Sequence, residues 1–138
     1  LRLAKQVLDQ NGTLAIFPEA GSWLNQLRPA RPGAAFLAST AQAKLLPVAL
    51  TGVEDIFPSL KWFKKASVVV KIGKPFGPFY VSEKGERSRE NLDRIGAEIM
   101  QEIANLLPDN KRGFLSSDPS IRELVASTRY PWELEQEK

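Results

Sequence analysis

The chain has 138 residues, 43% apolar and 25% charged, with nine glycines; that balance fits one globular domain with one core and excludes a disordered tail. It has no cysteine, which excludes disulfides, thiolate metal sites and a cysteine nucleophile, and no histidine, which removes the usual proton-transfer group near neutral pH and most zinc sites. Formal net charge is only +3, yet between Arg28 and Lys74 eight basic residues face Glu54 and Asp55 alone, while from Phe114 onward five acidic residues outnumber three basic ones; a basic middle suits an anionic ligand or an anionic membrane surface, an ordinary solvated face being the commoner reason for such a run.

Leu1, Ala4, Val7 and Leu8 recur at helical spacing before Asn11-Gly12, a pair suited to a left-handed stop. Thr13-Leu14-Ala15-Ile16-Phe17 is short, apolar and β-rich, which predicts a strand buried on both faces and ended by Pro18. Residues 19–32, rich in Gly, Pro, Ser and Arg, read as a loop at that strand's carboxyl end. Small apolar residues over 33–42 predict a helix packed closely on a sheet. Residues 45–50 read as a second strand despite Pro47, whose missing N–H places it at a strand start, edge or bulge. Residues 67–72 form a third by their β-branching, closed by Gly73 and Pro75. The clearest periodicity comes late: Leu92, Ile95, Gly96, Ile99, Ile103, Leu106 and Leu107 share one helical face, with Ser88 as cap and Pro108 as stop.

Residues 108–138 form a polar tail, expected to pack loosely, with Tyr130-Pro131-Trp132 as its aromatic anchor. Alternating helices and short apolar strands predict an α/β layered fold with a mainly parallel short-strand sheet flanked by helices. No stretch reaches the roughly 18 apolar residues of a membrane-spanning helix, and the first residues lack the apolar core of a secretory signal. With Leu1 first and Met100 the one methionine, the sequence reads as a fragment or processed piece, incomplete at its amino end.

Phe17-Pro18-Glu19-Ala20-Gly21-Ser22 places a carboxylate just past the end of a predicted buried strand, where open α/β sheets bind ligands; a lone Pro-Glu-x-Gly also serves as a turn cap or a surface ion pair. In its order of motifs the chain resembles the glycerolipid acyltransferase family, the lysophosphatidic acid acyltransferase type. Phe17-Pro18-Glu19 is similar to that family's Phe-Pro-Glu-Gly-Thr-Arg block, Arg31-Pro32-Gly33-Ala34-Ala35 to the basic residue and alanine-rich helix after it, Leu46-Pro47-Val48 to its Val-Pro-Val strand, and Ile72-Gly73-Lys74-Pro75 to its Gly-x-Pro strand end. The resemblance covers residues 1–107 as an acyltransferase-type domain and leaves the tail uncovered.

What the resemblance implies is acyl transfer from acyl-CoA or acyl-carrier protein, as co-substrate with no bound cofactor or metal, to the hydroxyl of a lysophospholipid or glycerol phosphate. The family's base is the histidine of a His-x-x-x-x-Asp block, which this sequence lacks. The chain is therefore expected to supply the acceptor-binding part, with no catalytic residue of its own, of an enzyme of phospholipid biosynthesis at the cytoplasmic face of a membrane. Residue by residue, Glu19 is the acceptor-site candidate, Gly21 and Ser22 the turn that lets ligand approach, and Pro47 a shaping residue of the adjoining strand. The sequence departs from the family at Ala20, where the motif has Gly, and at Gly21-Ser22, where it has Thr-Arg. With the motif arginine absent, Arg28 or Arg31 is expected to hold the acceptor's phosphate, since a guanidinium fork suits that anion.

Lys61-Trp62-Phe63-Lys64-Lys65 combines cationic heads with large apolar faces, the pattern of a peripheral protein resting on an anionic bilayer; inward packing of Trp62 or Phe63 is the plainer alternative. Two other functions compete: a non-catalytic lipid- or membrane-binding module, and a basic nucleic-acid-binding domain, ranked last for want of any nucleic-acid motif. No nucleophile elbow, phosphate loop or metal-ligand spacing is present. Glu54-Asp55 reads as a turn or short-helix start.

Overall fold

The computed structural model describes residues 2–21, 25–80 and 89–128. About half of these residues are helical, and the strands form one two-stranded sheet. Helix α1 (Arg2–Asp9) stops where Asn11 takes a left-handed φ of 59° and the Gly12 N–H donates to the Val7 carbonyl at 2.8 Å. Helix α2 (Pro32–Ala41) starts with proline at its first position, where no N–H is needed, and ends on left-handed Gln42.

Strands β1 (Val48–Thr51) and β2 (Val69–Ile72) pair antiparallel, with Val48 opposite Ile72 and Thr51 opposite Val69. Between them lie a 3-10 turn (Val53–Asp55) and helix α3 (Ile56–Lys61). A Leu45–Phe76 bridge and a bond from the Gly73 N–H to the Pro47 carbonyl, 2.9 Å, extend the ribbon, so buried Pro47 sits at the strand start, where its missing N–H costs nothing.

Helix α4 (Arg89–Ala104) is the centre of the core. Its Ile95 and Ile99 meet Ala35 and Ala38 of α2, whose small side chains let the two backbones approach. Met100 joins Ala49, Leu27 and Leu107 in a second cluster, and Ile103 packs against both. Ile95 and Met100 are fully buried, which stabilises the fold by about 2–3 kcal/mol each. Past α4, the 3-10 turns Asp109–Lys111 and Gly113–Leu115 lead to helix α5 (Pro119–Ser127), capped by Asp118, whose side chain accepts the Ser120 N–H at 2.8 Å. Among the described residues no helix is long and apolar enough to cross a membrane.

Three expectations differ from this arrangement. The sheet of the described residues is antiparallel, not mainly parallel: a parallel pair needs a crossover across the sheet face, whereas six-residue α3 turns the chain back at the strand ends. Residues 13–17 are exposed and form no ladder with a described strand, because an apolar β-rich run becomes a strand only when a partner accepts its hydrogen bonds. The stretch 109–128 is ordered and packed, not loose: Phe114 and Leu115 reach the Met100 cluster, and Val125 is buried. Ser88 and Tyr130-Pro131-Trp132 lie outside the described residues.

Candidate functional site

The loop after residue 17 is closed by its own backbone. The Ala20 N–H donates to the Phe17 carbonyl at 3.1 Å, making a tight turn through Pro18 and Glu19, and the Arg31 N–H donates to the Pro18 carbonyl at 2.8 Å, closing the neck of the loop. Ala20 holds a left-handed φ of 58°. That conformation crowds an L side chain and favours glycine, the residue at this place in the acyltransferase motif.

Half-buried Glu19 folds back into the loop and accepts the Arg28 N–H at 2.9 Å. Burial raises its pKa above the usual carboxylate value, and the Arg28 N–H and the Arg28 charge offset only part of that rise. Arg28 itself is 4% exposed. Its Nη2 donates to the Thr128 carbonyl and, at 3.5 Å, to that of Val125, both at the carboxyl end of α5, where unpaired carbonyls and the helix dipole favour a cation. The segment is fastened from its other side by 109–115. The Leu27 N–H donates to Lys111 at 3.3 Å, the Phe114 N–H to Leu27 at 3.2 Å, and Gln26 spans from the Asn110 carbonyl to the Gly113 N–H. Gly113 permits this approach: at its φ of 54° a Cβ would lie 1.9 Å from the Leu27 carbonyl oxygen.

Two cavities flank the turn. Glu19 lines one of about 360 Å³, together with Gln26, Leu50, Glu54, Leu107 and Lys111. Pro18 and Ala20, its immediate neighbours, line another of about 330 Å³ with Leu14, Phe17, Leu37 and Arg31. In the first, Lys111 Nζ contacts Glu54 Oε1 at 2.8 Å, and that hydrogen bond, ahead of all other causes, lowers the Glu54 pKa. Two carboxylates, one ammonium, the amides of Asn25 and Gln26 and the Thr51 hydroxyl, set among apolar side chains, can hold a hydroxyl-rich headgroup beside an alkyl chain. The second cavity is almost wholly apolar, with a guanidinium among its walls.

The predicted residues are thus divided. Glu19 and Arg28 are joined through the backbone, with the Arg28 guanidinium committed to α5; exposed Arg31 belongs to the opposite cavity; Gly21 follows the turn, half-buried; Ser22 lies outside the described residues. Lys111, Gln26 and Glu54 were not foreseen at this site. No local sequence signal marks Lys111, which falls in the stretch expected to be a tail. Compared with models of protein families, with curated proteins and with solved structures, the chain matches none.

Proposed function

We propose that this chain is the acceptor-binding part of a glycerolipid acyltransferase of the lysophosphatidic acid type, acting as a peripheral protein at the cytoplasmic face of a membrane. The observation that carries the reading is the placement of Glu19, from the Phe17-Pro18-Glu19 block, on the wall of a 360 Å³ cavity between polar and apolar groups. In this reading the Glu19 side takes the glycerol hydroxyls, and the Arg31 side takes the phosphate with the first part of the alkyl chain. The mainly parallel sheet of the family would be completed by further strands laid along residues 13–17, whose exposed Leu14, Ile16 and Phe17 await a cover.

Acyl transfer needs a base to take the acceptor's hydroxyl proton. With no histidine in the chain, that base belongs to a His-x-x-x-x-Asp block on a preceding segment, and reading the coding sequence upstream of Leu1 tests for it. The 138-residue chain alone shows no turnover with acyl-CoA or acyl-carrier protein; measurable transfer by the pure chain refutes the division of labour. For the acceptor site, calorimetry with a short-chain lysophosphatidic acid below its micelle concentration gives binding that Arg31→Gln weakens roughly tenfold, the loss of one charge-assisted contact. Equal affinity for both proteins removes Arg31 from the site, and no binding to either rejects the reading.

A further inference from the structure

The connection between β1 and β2 ends in an apolar tip with no cover. Phe57 is 79% exposed, Leu60 67%, Trp62 70% and Phe63 98%. Phe57, Leu60 and Lys61 lie three and four residues apart on α3, hence on one side of it, and Lys61, Lys64 and Lys65 are all exposed around the aromatic pair.

The backbone at the tip makes the exposure more telling. The Phe63 N–H donates to the Leu60 carbonyl at 3.2 Å and the Lys64 N–H to the Ser59 carbonyl at 2.8 Å. These are the paired bonds of a Schellman stop, and Phe63 occupies its left-handed position at a φ of 50°. Glycine fills that position without strain. Here an aromatic side chain accepts an unfavourable backbone conformation and receives no packing in return. Folding alone selects against Phe63 on both counts, so its place is accounted for by something outside the described fold.

We propose that the tip formed by Phe57, Leu60, Trp62 and Phe63 inserts into the interfacial layer of an anionic bilayer, with Lys61, Lys64 and Lys65 seated on its headgroups. The charge decides the occupant. An apolar tip alone would suit a protein groove, but three exposed lysines with long apolar stems, flanking Trp62 and Phe63 along the chain, complement a negatively charged surface that is apolar a few ångströms below. The nearest acidic side chains along the chain do not cancel them: Glu54 is held by Lys111, and Asp55 stands at the opposite end of α3. The connection is pinned to the sheet at its base, where Gly52 packs so tightly that a Cβ would lie 2.1 Å from the Ser67 carbonyl oxygen. The inference rests on the membrane partner of the reading above; Phe57 also lines the Glu19 cavity, whereas Trp62, Phe63 and the three lysines, the residues varied or read out in the test, do not.

The experiment uses the full chain with Trp23→Phe and Trp132→Phe, leaving Trp62 as the sole indole, and vesicles of phosphatidylcholine alone or mixed with phosphatidylglycerol, free of lysophospholipid. Trp62 emission moves to the blue with the anionic vesicles, and the shift weakens in high salt. Replacing the three lysines with glutamine lowers partitioning roughly 100-fold. Phe63→Gly is the discriminating variant: it raises the melting temperature by relieving the left-handed strain and lowers partitioning about tenfold. A structural role for Phe63 moves stability the other way. Unchanged partitioning of Phe63→Gly, an unmoved Trp62 emission, a blue shift that depends on protein concentration without vesicles, or binding to an oligonucleotide in place of vesicles each overturns the proposal. Because these vesicles carry no acceptor, failure here leaves the short-chain lysophosphatidic acid titration standing, and the reverse holds.

Discussion

At the scale of the residue, Glu19 is under two opposed demands. Its carboxylate supplies the acceptor for the Arg28 N–H, yet burial penalises the charge and raises its pKa. A carboxyl whose folded pKa is raised contributes stability that is fully present below its unfolded value, near 4.5, and that contribution is lost as pH rises through the folded value. Glu19→Gln keeps an oxygen for the Arg28 N–H and removes the titration, so its stability near neutral pH equals or exceeds the parent's and the pH slope above 4.5 disappears. Glu19→Ala leaves a buried N–H without its acceptor and costs about 1–2 kcal/mol. Urea melts of the three proteins between acid and neutral pH separate these outcomes. One residue on, Ala20→Gly relieves the left-handed φ of 58°. The strain removed exceeds the added freedom of the unfolded chain, a net gain of about 0.5–1 kcal/mol and roughly 2–4 °C in Tm, read by calorimetry. Glu19 was legible in the sequence because the signal is local: a carboxylate and a proline after an apolar run. Lys111, its neighbour across the cavity, was not, because its place depends on a contact between segments remote in sequence.

At the scale of the element, the Arg28 side chain ties the carboxyl end of α5 to the site loop. Arg28→Met removes the donor to Val125 and Thr128, strands carbonyls at the helix end, and costs about 2–3 kcal/mol. Hydrogen exchange then speeds in α5 ahead of α4, which rests on its own apolar contacts. Acid loosens the same element from its other end. The pKa of Asp109 is lowered chiefly by the Ser117 N–H, and that of Asp118 by the Ser120 hydroxyl and then the Ser120 N–H. Their stabilisation is present above the ordinary aspartate value and is lost as pH falls through the lowered values, so α5 undocks in acid before the α4 core melts. These contacts explain the uneven legibility of the fold. Helix α4 could be read from its stripe of Leu92, Ile95, Gly96, Ile99 and Ile103, although it ends at Ala104 and leaves Leu106, Leu107 and the expected stop at Pro108 outside it, and α2 from its small residues, although its first residue, Pro32, was expected in the loop. Helix α5 carries a shorter apolar stripe, and what orders it is an arginine far upstream and a serine–aspartate network, neither of which has a periodicity.

At the scale of the whole molecule, the hairpin ribbon is largely uncovered: β2 is exposed along its whole length and β1 buries Ala49. Val48 faces Ile72 and Leu50 faces Val70 across the two strands, on the side opposite Ala49, which enters the core. All four are exposed, Ile72 by 64%, and Phe17 beside the site loop by 79%. Branched apolar residues laid side by side on a ladder are the surface on which another sheet or chain packs, and residues 13–17 add an exposed apolar run with no described ladder. In dilute solution the chain therefore associates with itself as concentration rises, through these faces. Lysine at one position of each tests this directly. Ile72→Lys places a charge on the ribbon's outer side and Phe17→Lys one at the end of the exposed run 13–17, and neither disturbs the core, since both side chains are largely exposed. Sedimentation velocity is expected to show larger species growing with concentration for the parent and a monomer for the double variant, with melting temperatures within a few degrees of each other. A monomeric parent over the same range means that the uncovered ribbon is tolerated by solvent alone. Association that survives both substitutions moves the contact to the remaining apolar surface, of which the Phe63 tip is the most exposed part.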